Sequence, residues 1–242
     1  MLQVCLNGAR TRAEHAGLPV TPAELAAAAR AAVAAGASDV HLHPKDRRGQ
    51  DTLDADAVAA ALTAVRAAVP GIPVGVTTGA WATPDPAARA AQVRSWTVLP
   101  DHASVNWHED GAETVAATLL ARGVGIEAGL FSGTSAAARF AAWPDAHRVV
   151  RVLAEVTDTH PRTALDAAAG LLAGLAPGTA SPILLHGEDD AAWPVLRLAV
   201  ARRLAVRIGL EDVLLLPDGS PAADNAGLVR AARQIVRRSA SA

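Results

Sequence analysis

Thr21-Pro22-Ala-Glu24-Leu-Ala-Ala-Ala-Ala-Arg30-Ala-Ala-Val-Ala-Ala-Gly36-Ala-Ser-Asp39-Val-His41-Leu-His43 reads as a complete helix-to-strand unit. Thr21 is an N-cap, Pro22 suits the first helical position, where an N–H would be unsatisfied anyway, and Glu24 places an acid in the first turn. Gly36 stands just past the helix end, where a left-handed residue is favoured. Asp39–His43 then has strand character. Successive side chains on a strand alternate between faces, so the imidazoles of His41 and His43 share one side.

The same unit recurs on either side. Strand-like runs are predicted at Gln3–Asn7, Asp39–His43, Pro73–Thr77, His102–Asn106, Gly125–Leu130, Arg148–Glu155, Pro182–His186 and Ala205–Gly209. Between and after them fall amphipathic, alanine-rich segments: Pro22–Ala35, Ala55–Val69, Pro86–Trp96, Ala112–Arg122, Ser135–Trp143, Arg162–Ala173, Ala191–Leu204 and Ala223–Arg238. Asp54 is placed to cap the second helix, and Gly123 follows the fourth. Parallel strands require helical crossovers, so strict alternation through eight units predicts an α/β chain folded as a single (β/α)8 TIM barrel over residues 1–242. An open doubly wound sheet is the competing architecture. No Gly-x-Gly-x-x-Gly follows the first strand, and the unit count suits closure.

Composition narrows the function classes. The chain has 242 residues, 51% of them hydrophobic, with a formal net charge of -2. No apolar stretch approaches a membrane span and no run of like charge occurs, so nucleic acid and membrane are not expected partners. The strand that opens the chain leaves no room for a signal segment, and a cytoplasmic protein is expected. Cys5 is the single cysteine, which excludes an internal disulfide. Lys45 is the single lysine and lies in the loop after the histidine pair, either as a functional group or as a solvated loop charge.

In a (β/α)8 barrel, function gathers at the C-terminal ends of the strands. There the sequence sets Asn7-Gly8-Ala9-Arg10 with Glu14, His41 and His43 with Asp46, Thr77-Thr78-Gly79 with Trp81, and Ser104-Val-Asn106-Trp107-His108. The remaining strands contribute Glu127, Glu155, His186 and the run Arg207-Ile-Gly-Leu-Glu211-Asp212. Two imidazoles on one face plus a carboxylate from Glu211 match a metal site that keeps an open position. A pair of packing histidines is the alternative. Arg207 inside a strand needs an acidic partner, for which Glu211 and Asp212 are nearest. Trp81 and Trp107 are read as pocket walls, and Trp96, Trp143 and Trp193 as packing residues.

These motifs, in this order and spacing, resemble the β-keto acid cleavage enzymes, the family of 3-keto-5-aminohexanoate cleavage enzyme. The likeness rests on Asn7-Gly-Ala, Leu18-Pro-Val-Thr-Pro22, His41-Leu-His43, Thr77-Thr-Gly79, Ser104-Val-Asn106 and Arg207-Ile-Gly-Leu-Glu211-Asp212. It implies a zinc-dependent (β/α)8 barrel that exchanges a β-keto acid with acetyl-CoA, giving acetoacetate and a new acyl-CoA, and that forms homo-oligomers. It implies zinc on His41, His43 and Glu211, with Asp212 as the base paired to Arg207. Thr77 falls where the family places a serine implicated in acyl transfer, and Ser104, Asn106 and Glu127 fall at substrate-shell positions. Arg10 stands where a carboxylate often binds a substrate amine, so a neutral or anionic substrate side chain is expected unless Glu14 substitutes for it. Two further readings use the same residues: aldol-type or hydrolytic C–C cleavage without CoA, and a metal- and ligand-binding barrel without turnover.

Overall fold

The capping box closes around Thr21. Glu24 N donates to Thr21 Oγ1 at 3.3 Å, and Thr21 N donates back to the Glu24 carboxylate at 2.9 Å. At the other end Gly36 has φ 114, and its N–H reaches back to Ala32 and Val33. A computed structural model, describing residues 1–175 and 181–240, shows this helix as α1 (Pro22–Ala35) between strands β1 (Leu2–Cys5) and β2 (Asp39–Leu42).

The alternation continues with α2 (Ala55–Ala68), β3 (Val74–Thr77), α3 (Pro86–Ser95), β4 (His102–Asn106), α4 (Ala112–Ala121) and β5 (Gly125–Phe131). Then come α5 (Ala136–Ala142), β6 (Arg151–Val156), α6 (Pro161–Leu175), β7 (Ile183–Gly187), α7 (Ala192–Ala201), β8 (Ala205–Ile208) and α8 (Asn225–Ala240). Each strand pairs in parallel with the next, and β1 pairs with β8, closing the barrel. The expected (β/α)8 barrel is therefore the fold.

Most predicted boundaries move by one or two residues, and three of the shifts have a clear local reason. β1 ends at Cys5 rather than Asn7, because the Asn7 side chain takes over the pairing: Nδ2 donates to the carbonyls of Pro19 and His43, and Oδ1 accepts from His43 N. β6 begins at Arg151 rather than Arg148, because Ala146–Arg148 closes a 3-10 turn. α7 ends at Ala201, and Arg203 turns the chain with φ 57.

Outward-facing strand residues such as Val40, Val76, Ile126, Ala154 and Ile208 are fully buried beneath the helices. Trp107 belongs to this layer. It is buried, with ring centroids 5.0 Å from Phe140 and 5.2 Å from Trp143, so it packs the helix layer instead of walling a pocket. Trp96, Trp143 and Trp193 are buried as expected.

The barrel interior is polar. At its N-terminal end Arg151 from β6 ties together Glu127 (Nε to Oε1, 2.5 Å) and Asp39 (Nη2 to Oδ2, 2.7 Å). Gln3 donates to the same two acids at 2.8 and 2.9 Å. His102 lies between them, 3.1 Å from Asp39 and 3.0 Å from Glu127. Burial works against its charge, but the two carboxylates prevail and raise the imidazole to about 10. This network fills the interior beneath the strand ends. Replacing Arg151 by methionine leaves two buried carboxylates short of a cation and is expected to cost about 3–5 kcal/mol in urea unfolding. An unchanged unfolding midpoint would contradict the network's structural role.

Candidate active site

His41 is the third residue of β2 and points inward, as strand alternation requires, and His43 follows just past the strand end on the same side. Both are buried, and their rings meet edge to face with centroids 5.3 Å apart. Glu211 enters from the loop after β8. Its carboxylate lies 3.4 Å from His43 Nε2 and 4.0 Å from His41 Nε2. Gly8 makes room for it: with φ +57 and no side chain, it lets Glu211 pass where a Cβ would stand 2.4 Å from Glu211 Cγ.

His41, His43 and Glu211 each present a ligand atom, all within 4.8 Å of one another, so the three can hold a metal ion. A tetrahedral zinc with bonds of about 2.0–2.2 Å sets its ligand atoms about 3.4 Å apart, which a slight closure of this trio reaches. Glu211 Oε2 is buried without a hydrogen-bond partner, as a waiting ligand would be. Burial lowers His41 to about 4, which keeps it neutral, whereas His43, opposed by burial but held by the Glu211 and Asp51 carboxylates, is raised to about 9 and must give up a proton to a metal. His43 is held on the far side of its ring by Asp51, 2.7 Å from Nδ1, which directs Nε2 toward Glu211.

Arg207 on β8 is buried, and both expected partners are present. Nε donates to Asp212 Oδ1 at 3.1 Å and Nη2 to Glu211 Oε1 at 2.5 Å. Coulomb attraction to Arg207, and after it the His43 and His41 imidazoles, outweighs the cost of burying Glu211 and keeps its carboxyl well below the usual range. Asp212 Oδ2, by contrast, is buried and has no partner.

The other candidate residues occupy distinct places. Thr77 ends β3 beside Ser104 of β4, and its Oγ1 accepts from Gly79 N at 3.0 Å. Asn106 ends β4 and donates to Glu109 at 2.9 Å. Glu127 lies deeper, within the Arg151 network, with Oε2 3.8 Å from His41 Nδ1. Arg10 spans the mouth: Nε donates to Glu211 O at 3.0 Å, Nη2 pairs with Asp189 at 2.6 Å and Nη1 with Glu14 at 3.3 Å. Asp46 faces solvent and caps a turn through the N–H groups of Arg48 and Gln50. Lys45 is no solvated charge. Its buried ammonium binds Asp51 and the Gly8 carbonyl, clipping the loop after β1 to the loop after β2.

A family model described as beta-keto acid cleavage enzyme matches residues 1–241. The chain belongs to that family. Among solved structures it is similar to the apo structure of ObcA, with TM-score 0.70 and 17% identity over 90% of this chain and 61% of that one. It is likewise similar to the ternary complex of ObcA with C4-CoA adduct and oxalate, with TM-score 0.71 and 17% identity over 91% of this chain and 64% of that one. The chain thus spans under two thirds of the ObcA chains it matches. It also resembles type I 3-dehydroquinate dehydratase from Clostridium difficile, with TM-score 0.69 and 11% identity over 100% and 93% of the two chains. At such identities these likenesses establish the barrel fold and no more.

Sequence reasoning missed Asp51. It serves His43, Lys45 and Trp81 at once, the Trp81 Nε1 donating at 2.7 Å. Trp81 lies nearly parallel over His43, 5.8 Å between centroids and 14° between planes, and its other side stays exposed. The only available signal was an acid eight residues past the histidine pair, in a loop without periodicity. Replacing His41 by alanine is expected to abolish stoichiometric metal in elemental analysis. Changing Asp51 to asparagine should weaken binding about 10–100-fold in a chelator competition. Full metal retention in the first variant would refute the ligand assignment, and unchanged affinity in the second would refute the orienting role.

Proposed function

We propose that this protein cleaves a β-keto acid by retro-Claisen exchange with acetyl-CoA, giving acetoacetate and a new acyl-CoA, with zinc held by His41, His43 and Glu211. The observation that carries the reading is the adjacency of a His-His-Glu trio to a buried carboxylate whose Oδ2 is unengaged. The trio's donor set, two imidazoles and one carboxylate, suits a catalytic zinc with an open position. When bound, that ion would act as a Lewis acid toward the substrate's ketone and carboxylate.

The protein's own groups divide the remaining work. Asp212 Oδ2 takes the proton from the carbon between the two carbonyls, while Arg207 holds Oδ1 and fixes the carboxylate plane. The freed electron pair joins that carbon to the acetyl carbonyl, and CoA sulfur leaves as thiolate. Attack of the thiolate on the original ketone then breaks the old C–C bond, and Asp212 returns its proton to the carbon released, so sulfur ends on the substrate's acyl group and acetoacetate departs. Thr77, whose hydroxyl lies at the end of β3, assists the acyl transfer, and Ser104 and Asn106 line the substrate. Glu127, expected at a substrate-shell position, lies beneath the metal ligands, its Oε2 3.8 Å from His41 Nδ1, and contributes its negative charge there. Arg10 faces the distal end of the substrate and disfavours a cationic side chain. Solved structures of ObcA, of the same fold, include a binary complex with oxaloacetate and a ternary complex with a C4-CoA adduct and oxalate, which supports a β-keto acid and a CoA thioester as the pair of substrates.

A panel of β-keto acids incubated with acetyl-CoA tests the reaction. Acetoacetate should form only when acetyl-CoA is present. Cleavage without it would favour the hydrolytic or aldol reading, and no cleavage of any substrate would favour a binding barrel. Asp212→Asn should keep its zinc and lose about 10²–10⁴-fold in rate; loss of metal would make its role structural. A 5-amino β-keto acid should bind more weakly than its carboxylate counterpart, and equal binding would remove Arg10 from the substrate's surroundings.

A further inference from the structure

We propose that His186 is a positioning residue, clamping Asp212 so that Oδ2 is the carboxylate oxygen left free for substrate, with Glu155 clamping His186 in turn. The inference rests on Asp212 as the base of the proposed reaction. Its own observation is a buried row of groups on the far side of Arg207 from the metal ligands.

His186 projects from β7, level with Glu155 on β6, and is 1% exposed. Its Nδ1 stands 3.4 Å from Asp212 Oδ1 and its Nε2 stands 3.4 Å from Glu155 Oε2. Neither nitrogen has a tighter hydrogen-bond partner. Catalytic contacts in a site without substrate are often this long and tighten on binding. Asp212 Oδ1 therefore faces Arg207 Nε and His186 Nδ1 together, whereas Oδ2 faces neither. Two donors on one oxygen fix the rotation of the carboxylate, which one guanidinium bond leaves adjustable.

Glu155 reaches this position because β5 carries glycine beside it. A Cβ on Gly129 would stand 2.8 Å from Glu155 Oε1 and 2.7 Å from Asn106 Oδ1. The charged and titratable groups facing His186 are Asp212, Glu155, Glu188 and Arg207. Burial and Arg207 oppose a second proton on the ring, but the carboxylates on its two nitrogens prevail and raise it to about 9. A doubly protonated ring donates at both ends, as the clamp requires.

The test uses zinc-loaded protein labelled with ¹⁵N-histidine at pH 7.5, with the His186 signals assigned by their loss in His186→Gln. Both ring nitrogens should be protonated in the wild type, and Glu155→Gln should return the ring to a neutral form. A neutral ring in the wild type would overturn the clamp. Kinetically, His186→Gln and Glu155→Gln should keep zinc and hold KM within about threefold, while kcat falls at least about tenfold. A rise in KM with kcat unchanged would instead make them substrate-binding groups and overturn the proposal. Should the wild type turn over no β-keto acid, the NMR outcome still decides the clamp, separately from the reaction.

Discussion

The Arg207 guanidinium bonds to two consecutive carboxylates, and the organisation of the strand ends depends on that contact. Glu211 and Asp212 are neighbours in sequence and lie within the same buried region, where two like charges would otherwise force a proton onto one of them. Arg207 sits between, giving Nη2 to Glu211 and Nε to Asp212. One acid is thereby turned toward the imidazoles of β2 and the other toward β7. Arg207 can reach both because strand alternation on β8 aims it inward, and the chain then turns at once through Gly209.

From that pair the interior divides into layers. Below lies a charge-compensated network of Gln3, Asp39, His102, Glu127 and Arg151, drawn from five strands. Above it stand His41, His43 and Glu211 on one side, with Asp212, His186 and Glu155 on the other. Glu127 links the tiers through its approach to His41 Nδ1. A barrel interior is usually packed with branched apolar side chains. Here buried charges replace them, and each stays tolerable only while its partners hold. Among the described residues no helix is long and apolar enough to cross a membrane.

Much of this was legible in the chain itself, for identifiable reasons. The alternation of strand and helix follows from periodicity and capping, as Thr21, Glu24 and Gly36 show. The period of two placed both histidines on one face, and Arg207's need for a counter-charge named Glu211 and Asp212. What escaped was whatever a loop decides. Asp51 reaches His43 through a turn with no periodic signature, and Lys45 is drawn inward by that same acid. Trp107 read as a pocket wall because it follows a strand end, yet the chain there already turns toward the helix layer. Glu127 could be placed on its strand, but its depth depends on barrel register, which only pairing with Ser104 and Arg151 reveals.

Anomalous diffraction at the zinc edge from crystals grown with the ion tests the account at its centre. It predicts one peak per chain, within bonding distance of His41 Nε2, His43 Nε2 and a Glu211 oxygen, with Asp212 outside the coordination sphere and one position open. A peak elsewhere, or a closed site in which Asp212 supplies a fourth ligand, would contradict it.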